Sequence, residues 1–137
     1  MKRSELRELV FKAIFQSNFG NEPEEYIQNY LSEESTTLDE NDAKYIDMVI
    51  AAYKQHQSKI DDYIKAALNE EWQIDRLSLV DLSILRLMIT ETVYIEDVHF
   101  KIAANEAIEI AKKYSDEKSP GFINAVFADF LKAENIK

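Results

Sequence analysis

Cysteine is absent from this 137-residue sequence, and glycine and proline occur only twice each. Without cysteine the chain can form neither a disulfide nor a thiolate site, which is compatible with a cytoplasmic location. So few helix-breaking residues, beside abundant Glu, Lys, Leu, Ile and Ala, indicate an all-helical protein. No run of 18 uncharged apolar residues occurs, and the charged N-terminus lacks the apolar core of a signal peptide. We therefore predict no membrane span.

Sequence motifs for catalysis, metal binding or phosphate binding are also missing. The two histidines, His56 and His99, show no HExxH spacing, and there is no glycine-rich phosphate loop or nucleophile elbow. The acidic segment 38–43 resembles the start of a calcium loop, but it lacks the required glycine and the later glutamate. A helix cap explains these acids better. We predict a protein that is not an enzyme, with no catalytic residue, no metal and no cofactor.

The charge is distributed unevenly along the chain, which carries a net charge of −10. Residues 1–20 contain four cations and two acids, a net charge of +2, whereas residues 21–50 contain nine acids and one lysine, a net charge of −8. Screening over roughly 8–10 Å lets a separate basic end act locally despite the acidic total. We expect the acidic segment to keep nucleic acid off the surface opposite the basic end.

Apolar residues recur at helical spacing along most of the chain and predict one compact bundle of six or seven helices. Ser4 is a candidate N-cap for the first helix and Asp39 for the third, which is expected to continue or kink near His56. The predicted helices run from Ser4 to about Gly20, from Pro23 through Leu31, from about Asp39 through Leu68, from about Leu77 to Ile95, from Ile102 to Tyr114, and from Phe122 to about Leu131.

Four charges interrupt the otherwise apolar segment around residues 77–89. Arg76, Asp81, Arg86 and Glu91 follow one another at intervals of five, and five residues of a helix turn through about 140°. The charges therefore cannot share one solvated stripe, and the apolar residues also surround the whole helix. A helix that is apolar all round is covered by its neighbours. Charges within it need partners, because an unpaired buried charge is costly.

Four motifs in order along the chain resemble the NusB family of bacterial transcription antitermination factors. The third carries the Asn-Glu-Ala sequence and the fourth a Phe-apolar-Asn sequence. The motifs are RELVFKAIFQ at residues 7–16, W-x3-R-L-x3-D-x2-I-L-R-L-x3-E at residues 72–91, IAANEAIEIAKKY at residues 102–114 and FINAVFADF at residues 122–130.

The resemblance implies a NusB-like domain spanning residues 1–137, in which two helical halves pack together. It also implies a binding function rather than catalysis. The expected ligand is the single-stranded boxA-type RNA of ribosomal RNA leader transcripts. The expected partners are the ribosomal protein NusE and the RNA polymerase antitermination complex.

The resemblance also suggests which residues contact RNA. Lys2, Arg3 and Arg7 lie at the start of the first helix, where two guanidiniums one turn apart could engage successive phosphates. Lys118 and Phe122 lie where the last helix begins, and Phe122 could either stack on an unpaired base or belong to the core. The family often has an arginine-rich N-terminus, whereas this chain has only these three cations there.

Partner contacts and a polar core are also expected. Asp81 is expected to face outward toward a basic ribosomal protein, and Phe15 is either a partner contact or a core residue. Arg86 and Glu91 are each expected to pair with a different neighbouring helix, with Asn105 and Glu106 as candidate partners. Trp72 and Arg76 are expected to pack the turn between the two halves. The predicted structural polar core is therefore Arg76, Arg86, Glu91, Asn105 and Glu106.

Two other functions remain open from the sequence. The first is a helical adaptor that binds protein but not RNA, which the acidic composition and a pI near 4.7 favour. The second is a stand-alone relative of the NusB-like module of ribosomal RNA methyltransferases. A catalytic domain following the module would identify an enzyme of that kind, and the sequence shows none.

Overall fold

The computed structural model describes residues 1–69 and 73–137, so Trp72 lies outside the described residues. In these two ranges the chain forms six α-helices and a single 3-10 turn at Ile74–Arg76, and no strand. The prediction of an all-helical fold is confirmed. The helices are α1 (Arg3–Ser17), α2 (Pro23–Glu33), α3 (Glu40–Ala67), α4 (Leu79–Tyr94), α5 (Phe100–Tyr114) and α6 (Ser119–Ala133).

Helix α4 is the central helix, as the sequence predicts. It packs against α1, α3, α5 and α6, and every residue from Leu82 through Glu91 is buried. Only its two ends reach the surface: Leu79 in the first turn is 40% exposed, and residues 92–94 in the last turn are half-buried. Apolar side chains on all sides of α4 account for this position, because each neighbouring helix covers a different face. Even so, no helix in the described part of the chain is both long and apolar enough to span a membrane.

The six helices form two groups that pack against each other. In chain order, α1, α2 and α3 make up the first group, and α4, α5 and α6 make up the second. Contacts of α4 with α1 and α3, together with contacts between α3 and α6, join the groups into one core. The two helical halves implied by the family resemblance correspond to this arrangement.

The helix ends show where local capping sets the boundaries. Asp39 caps α3 by accepting a hydrogen bond from the Asp42 amide at 2.8 Å, as predicted. Helix α1 begins at Arg3, so Ser4 lies inside the helix and the prediction that it is the cap is wrong. Instead, the Glu5 carboxylate accepts a hydrogen bond from the Lys2 amide at 2.9 Å. Such a bond satisfies a backbone amide that a helix start leaves free.

Helix α3 is kinked at His56, whose backbone angles of −116° and 19° are not helical. The His56 ring stacks on the Tyr94 ring at the end of α4, with centroids 4.0 Å apart and an angle of 3° between the planes. The kink lets the two parts of α3 follow different faces of the bundle: α3 contacts α1 and α4 and also reaches α6. The structure thus shows the kink that the sequence left as one of two possibilities.

Candidate nucleic-acid and partner interface

Arg7 lies in the core and not on the surface. Its Nε atom donates hydrogen bonds to Oε1 and Oε2 of Glu91, both at 3.0 Å, and the two side chains are only 6% and 2% exposed. The carboxylate of Glu106 lies 3.7 Å from Nη1 of Arg7. A guanidinium enclosed in this way cannot reach a phosphate. The prediction that Arg7 contacts RNA is therefore wrong, because the carboxylate on α4 holds it inside.

Burial and charge act in opposite directions on this ion pair. Burial alone would lower the pKa of Arg7, but Glu91, with smaller contributions from Tyr45 and Glu106, outweighs burial and raises it. Burial raises the pKa of Glu91, and Arg7 opposes that change only in part. Burial and the Glu91 charge also raise the pKa of the Tyr45 hydroxyl. The buried charges therefore join α1 to α4, and the neutral Tyr45 hydroxyl of α3 lies beside them.

Arg86 forms a second ion pair on another side of α4. Its Nε and Nη2 atoms donate to the two carboxylate oxygens of Asp61 on α3, at 2.9 and 3.0 Å. Its Nη1 atom donates to Oδ1 of Asn18 at 3.1 Å, at the end of α1. Glu91 pairs with α1 and Arg86 pairs with α3, so the two charges use different neighbouring helices, as predicted. Paired guanidinium–carboxylate bonds of this geometry are among the stronger polar contacts in proteins.

The remaining polar-core predictions fit the structure less well. Glu106 is half-buried and faces Arg7, not Arg86 or Glu91. Asn105 is exposed in a groove between α5 and α6, and Arg76 is exposed in the 3-10 turn, so neither belongs to the core. Asn105 lies next to Glu106 in sequence, and adjacent residues of a helix point about 100° apart. Only one of them can face the charges of α1 and α4.

The start of α1 forms an exposed basic tip made of Lys2 and Arg3. The Arg3 guanidinium lies 4.2 Å from the centre of the Tyr45 ring on α3, which holds it in place. The N-terminal amine of Met1 lies 3.3 Å from Oδ2 of Asp42, also on α3. Residues 21–50 therefore contact the basic tip through Asp42. That these acids keep nucleic acid off the surface opposite the tip stays a prediction.

A second group of predicted site residues lies where α4 begins and α5 turns into α6. Asp81 accepts hydrogen bonds from the hydroxyls of Ser115 at 2.7 Å and Ser119 at 3.1 Å. Asp81 is half-buried, so it faces the turn between α5 and α6 and is not fully open to a partner. Hydroxyl donors leave the carboxylate charge in place, and among the described residues no cation pairs with it. Lys118 is exposed on the same turn.

Aromatic residues lie near this second group. Phe122 is half-buried in the first turn of α6, where its backbone amide donates to the Lys118 carbonyl at 3.1 Å. Phe15 is half-buried on α1 and packs edge-on against Phe19, with ring centroids 5.3 Å apart. Phe19 is 59% exposed, which sequence reasoning overlooked. Its place at the polar end of α1, outside the apolar face, is the sequence signal that could have identified it.

The predicted RNA contacts do not form one continuous cluster. Helices α1 and α4 run antiparallel, because Arg7 pairs with Glu91 whereas Asn18 contacts Ser83. The basic tip thus lies near the end of α4, and Asp81 lies near its beginning. A helix rises about 1.5 Å per residue, so the two groups are roughly 20 Å apart along α4. An RNA that contacts both must extend along the protein surface.

The described residues form an all-helical core that buries charges as ion pairs and leaves cations and aromatic residues exposed. These features define the class of small helical binding proteins. The model of the NusB family matches residues 4–132. The chain therefore belongs to the NusB family.

Individual relatives align with this chain over nearly their whole length. The chain is 38% identical over 128 residues to the transcription antitermination protein NusB of Natranaerobius thermophilus, covering 92% of this chain and 91% of the relative. It is 41% identical over 130 residues to that of Listeria monocytogenes, covering 94% and 95%. Among solved structures, NusB of T. maritima matches with a TM-score of 0.85 and 34% identity, covering 96% of this chain and 92% of that one. A complex of the antitermination factors NusB and NusE with double-stranded RNA matches with a TM-score of 0.83 and 25% identity, covering 97% and 99%.

Proposed function

We propose that this protein is a transcription antitermination factor that binds boxA-type RNA of ribosomal RNA leader transcripts together with NusE. It would act by binding alone, without catalysis, as part of the RNA polymerase antitermination complex in the cytoplasm. Membership of the NusB family supports this function, as do the relatives that carry the antitermination name. The similar complex of NusB and NusE with double-stranded RNA supports NusE and RNA as ligands, and the single-stranded boxA-type RNA is our proposal.

The observation that carries the proposal is the exposed pair of cations at the start of α1. Lys2 and Arg3 are both exposed, and Arg3 is ordered by the Tyr45 ring beneath it. An ordered guanidinium loses less freedom on binding than a mobile one, which favours a phosphate contact. With Arg7 in the core, these two side chains would neutralise about two phosphates, a salt slope of about −1.4 at roughly −0.7 per phosphate.

The turn before α6 provides the second part of the RNA surface. Lys118 would contact one more phosphate, and Phe122 would stack on an unpaired base. The roughly 20 Å between this turn and the basic tip suits an extended single strand better than a compact duplex end. All three cations together give an expected slope of about −2.

The NusE contact is proposed beside this turn. Phe15 and the exposed Phe19 form an aromatic edge at the end of α1. Asp81 adds a negative charge at the nearby start of α4, where it would attract a basic protein. Aromatic residues beside a charge of one sign are typical of protein interfaces. A basic partner placed here would also add phosphate contacts next to Lys118.

Fluorescence anisotropy of a labelled boxA-type RNA, with and without NusE over a range of salt, tests the proposal. Arg3→Ala should lower the affinity and flatten the salt slope by about 0.7, because one phosphate contact is lost. Lys65→Ala, an exposed lysine in the last turn of α3, serves as the matched control and should change neither. NusE should tighten binding and steepen the slope.

The second candidate function is a helical adaptor that binds NusE but not RNA. The burial of Arg7 favours it, because the N-terminal helix keeps fewer cations for phosphates than the sequence suggests. If Arg3→Ala and the parental protein bind RNA equally weakly and both still bind NusE, the adaptor function replaces the RNA-binding one.

A further inference from the structure

A groove beside the basic tip has a lining suited to a nucleotide. It lies between the start of α1, the start of α3 and the segment after α4, and it has a volume of about 230 Å³. Arg3 lines it from α1, Asn41 and Lys44 from α3, and Asp97 from the segment after α4. These four polar residues are all exposed.

The cations of this groove favour a phosphate. Arg3 is ordered on the Tyr45 ring, and Lys44 makes none of the ion pairs found among the described residues. Lys44 is also the only cation in the acidic range 21–50. In the groove lining Lys44 and Arg3 supply two positive charges against the single carboxylate of Asp97. An anion is the ligand that such a pair attracts.

The rest of the lining suits a base. Met48 is 42% exposed, which is unusual for a methionine, and it supplies the accessible apolar surface of the groove, since Ile95 in the lining is only 6% exposed. Methionine side chains adapt to flat ligands and make favourable contacts with aromatic rings. The Asp97 carboxylate can accept a hydrogen bond from the amino group of a base, and the Asn41 amide can both donate and accept.

We propose that this groove binds one nucleotide of single-stranded RNA adjacent to the phosphates held by Lys2 and Arg3. Lys44 contacts its phosphate, Met48 contacts its base, and Asp97 favours bases that carry an amino group, such as cytosine, over uracil. This inference rests on the proposed function, since it extends the RNA path from α1 onto α3. It adds RNA contacts on α3 and on the segment after α4, to which the sequence alone assigned none.

Salt-dependent binding of a boxA-type RNA tests the phosphate contact. Lys44→Ala should flatten the slope of log affinity against log salt by about 0.7, because one phosphate is released. Lys65→Ala removes an exposed lysine from the other end of the same helix and should leave the slope unchanged. Equal denaturant midpoints for the two variants show that folding is not the cause.

The methionine methyl groups report the location of the RNA. The chain has three methionines, of which Met48 lines the groove and Met88 is 2% exposed in the core. In a methyl NMR titration with the same RNA, the Met48 signal should shift and the Met88 signal should not. An unshifted Met48 at saturating RNA overturns the groove assignment.

Base preference is measured with cytidine and uridine 12-mers. The parental protein should bind the cytidine oligomer more tightly, and Asp97→Asn should reduce that preference, since an amide can also donate to the uracil carbonyl. Equal affinity for the two parental complexes overturns the role of Asp97. Suppose that Lys44→Ala and Lys65→Ala bind RNA with the same salt slope while Arg3→Ala weakens binding. The groove is then excluded and the proposed function stands. If the parental protein binds no RNA, with or without NusE, both fail.

Discussion

The buried pair of Arg7 and Glu91 gives the sharpest prediction about this protein. Arg7→Ala leaves a carboxylate that is 1% exposed without its cation. Glu106 cannot help, because it carries the same charge as Glu91. The family resemblance suggested a surface role for Arg7. We expect instead that its substitution causes a large loss of stability.

The size of the loss follows from the geometry. Two unit charges about 4 Å apart attract by about 4 kcal/mol at an effective dielectric constant near 20. Removing one partner of a buried pair costs about 3–5 kcal/mol. Domains of this kind are stable by only about 5–15 kcal/mol, so Arg7→Ala should lower the melting temperature by roughly 10–20 °C. Arg7→Lys keeps the charge but loses the paired geometry, and should cost about 1–2 kcal/mol.

Urea unfolding at several pH values is the assay. Burial raises the pKa of Glu91 even with Arg7 present, and removing the cation raises it further. A carboxyl group with a raised pKa in the folded state stabilises the fold at low pH, and that contribution is lost as pH rises through the raised pKa. The loss caused by Arg7→Ala should therefore be largest at pH 7 and smaller near pH 5.

The double variant Arg7→Met, Glu91→Leu is the matched control. Replacing both charges with apolar groups is often neutral or even stabilising, so the double variant should recover most of the loss. A loss below about 1 kcal/mol for Arg7→Ala, with no pH dependence, would refute the buried pair. If the same variant also flattened the salt slope of RNA binding by about 0.7, Arg7 would be assigned an RNA contact again.

Three other substitutions test further contacts. Arg86→Ala should cost about 3 kcal/mol in urea unfolding because its carboxylate partner on α3 is left unpaired; a loss below about 0.5 kcal/mol would mean that Arg86 is exposed. Burial raises the pKa of Glu8, but hydrogen bonds from Lys113 and Tyr114 outweigh it and lower the pKa overall. Glu8→Gln should therefore destabilise by about 1 kcal/mol at pH 7, and the difference should be lost as pH falls through the lowered pKa of Glu8, where the carboxyl group becomes protonated. Asp42→Asn removes a negative charge from the basic tip and should tighten RNA binding by about fivefold, or roughly 1 kcal/mol; unchanged affinity would show that Asp42 does not oppose the phosphates.

The sequence was sufficient to predict the fold because its strongest pattern is global. Apolar residues on all sides of residues 82–91 require a central helix, and the structure buries all of them. The charges within that helix were also interpretable, since Arg86 and Glu91 point in different directions and must use different neighbours. Periodicity along one helix determines which directions its side chains take, and that is local information.

The site was harder to predict because its contacts join distant parts of the chain. Arg7 and Glu91 are 84 residues apart, and nothing local to α1 distinguishes Arg7 from the exposed Arg3. The two arginines lie one turn apart and therefore share a flank of α1, which is why both were assigned to RNA. Their difference arises only when α4 packs against α1. The Tyr45 ring that holds Arg3 likewise belongs to a helix whose position the sequence does not determine.

The position of Arg7 has a consequence for how the protein would recognise RNA. One cation of the N-terminal helix stabilises the junction of α1 with α4, so only the first turn of α1 is left for phosphates. Asp42 lies against that turn and weakens its positive potential. A site with so few cations should bind RNA weakly alone and gain strength from each added contact. In our proposal Lys44 in the groove and Lys118 at the distant turn would extend the site along the strand, and a basic partner beside Asp81 would extend it further. Dependence of RNA affinity on the partner thus follows from the same ion pair that stabilises the core.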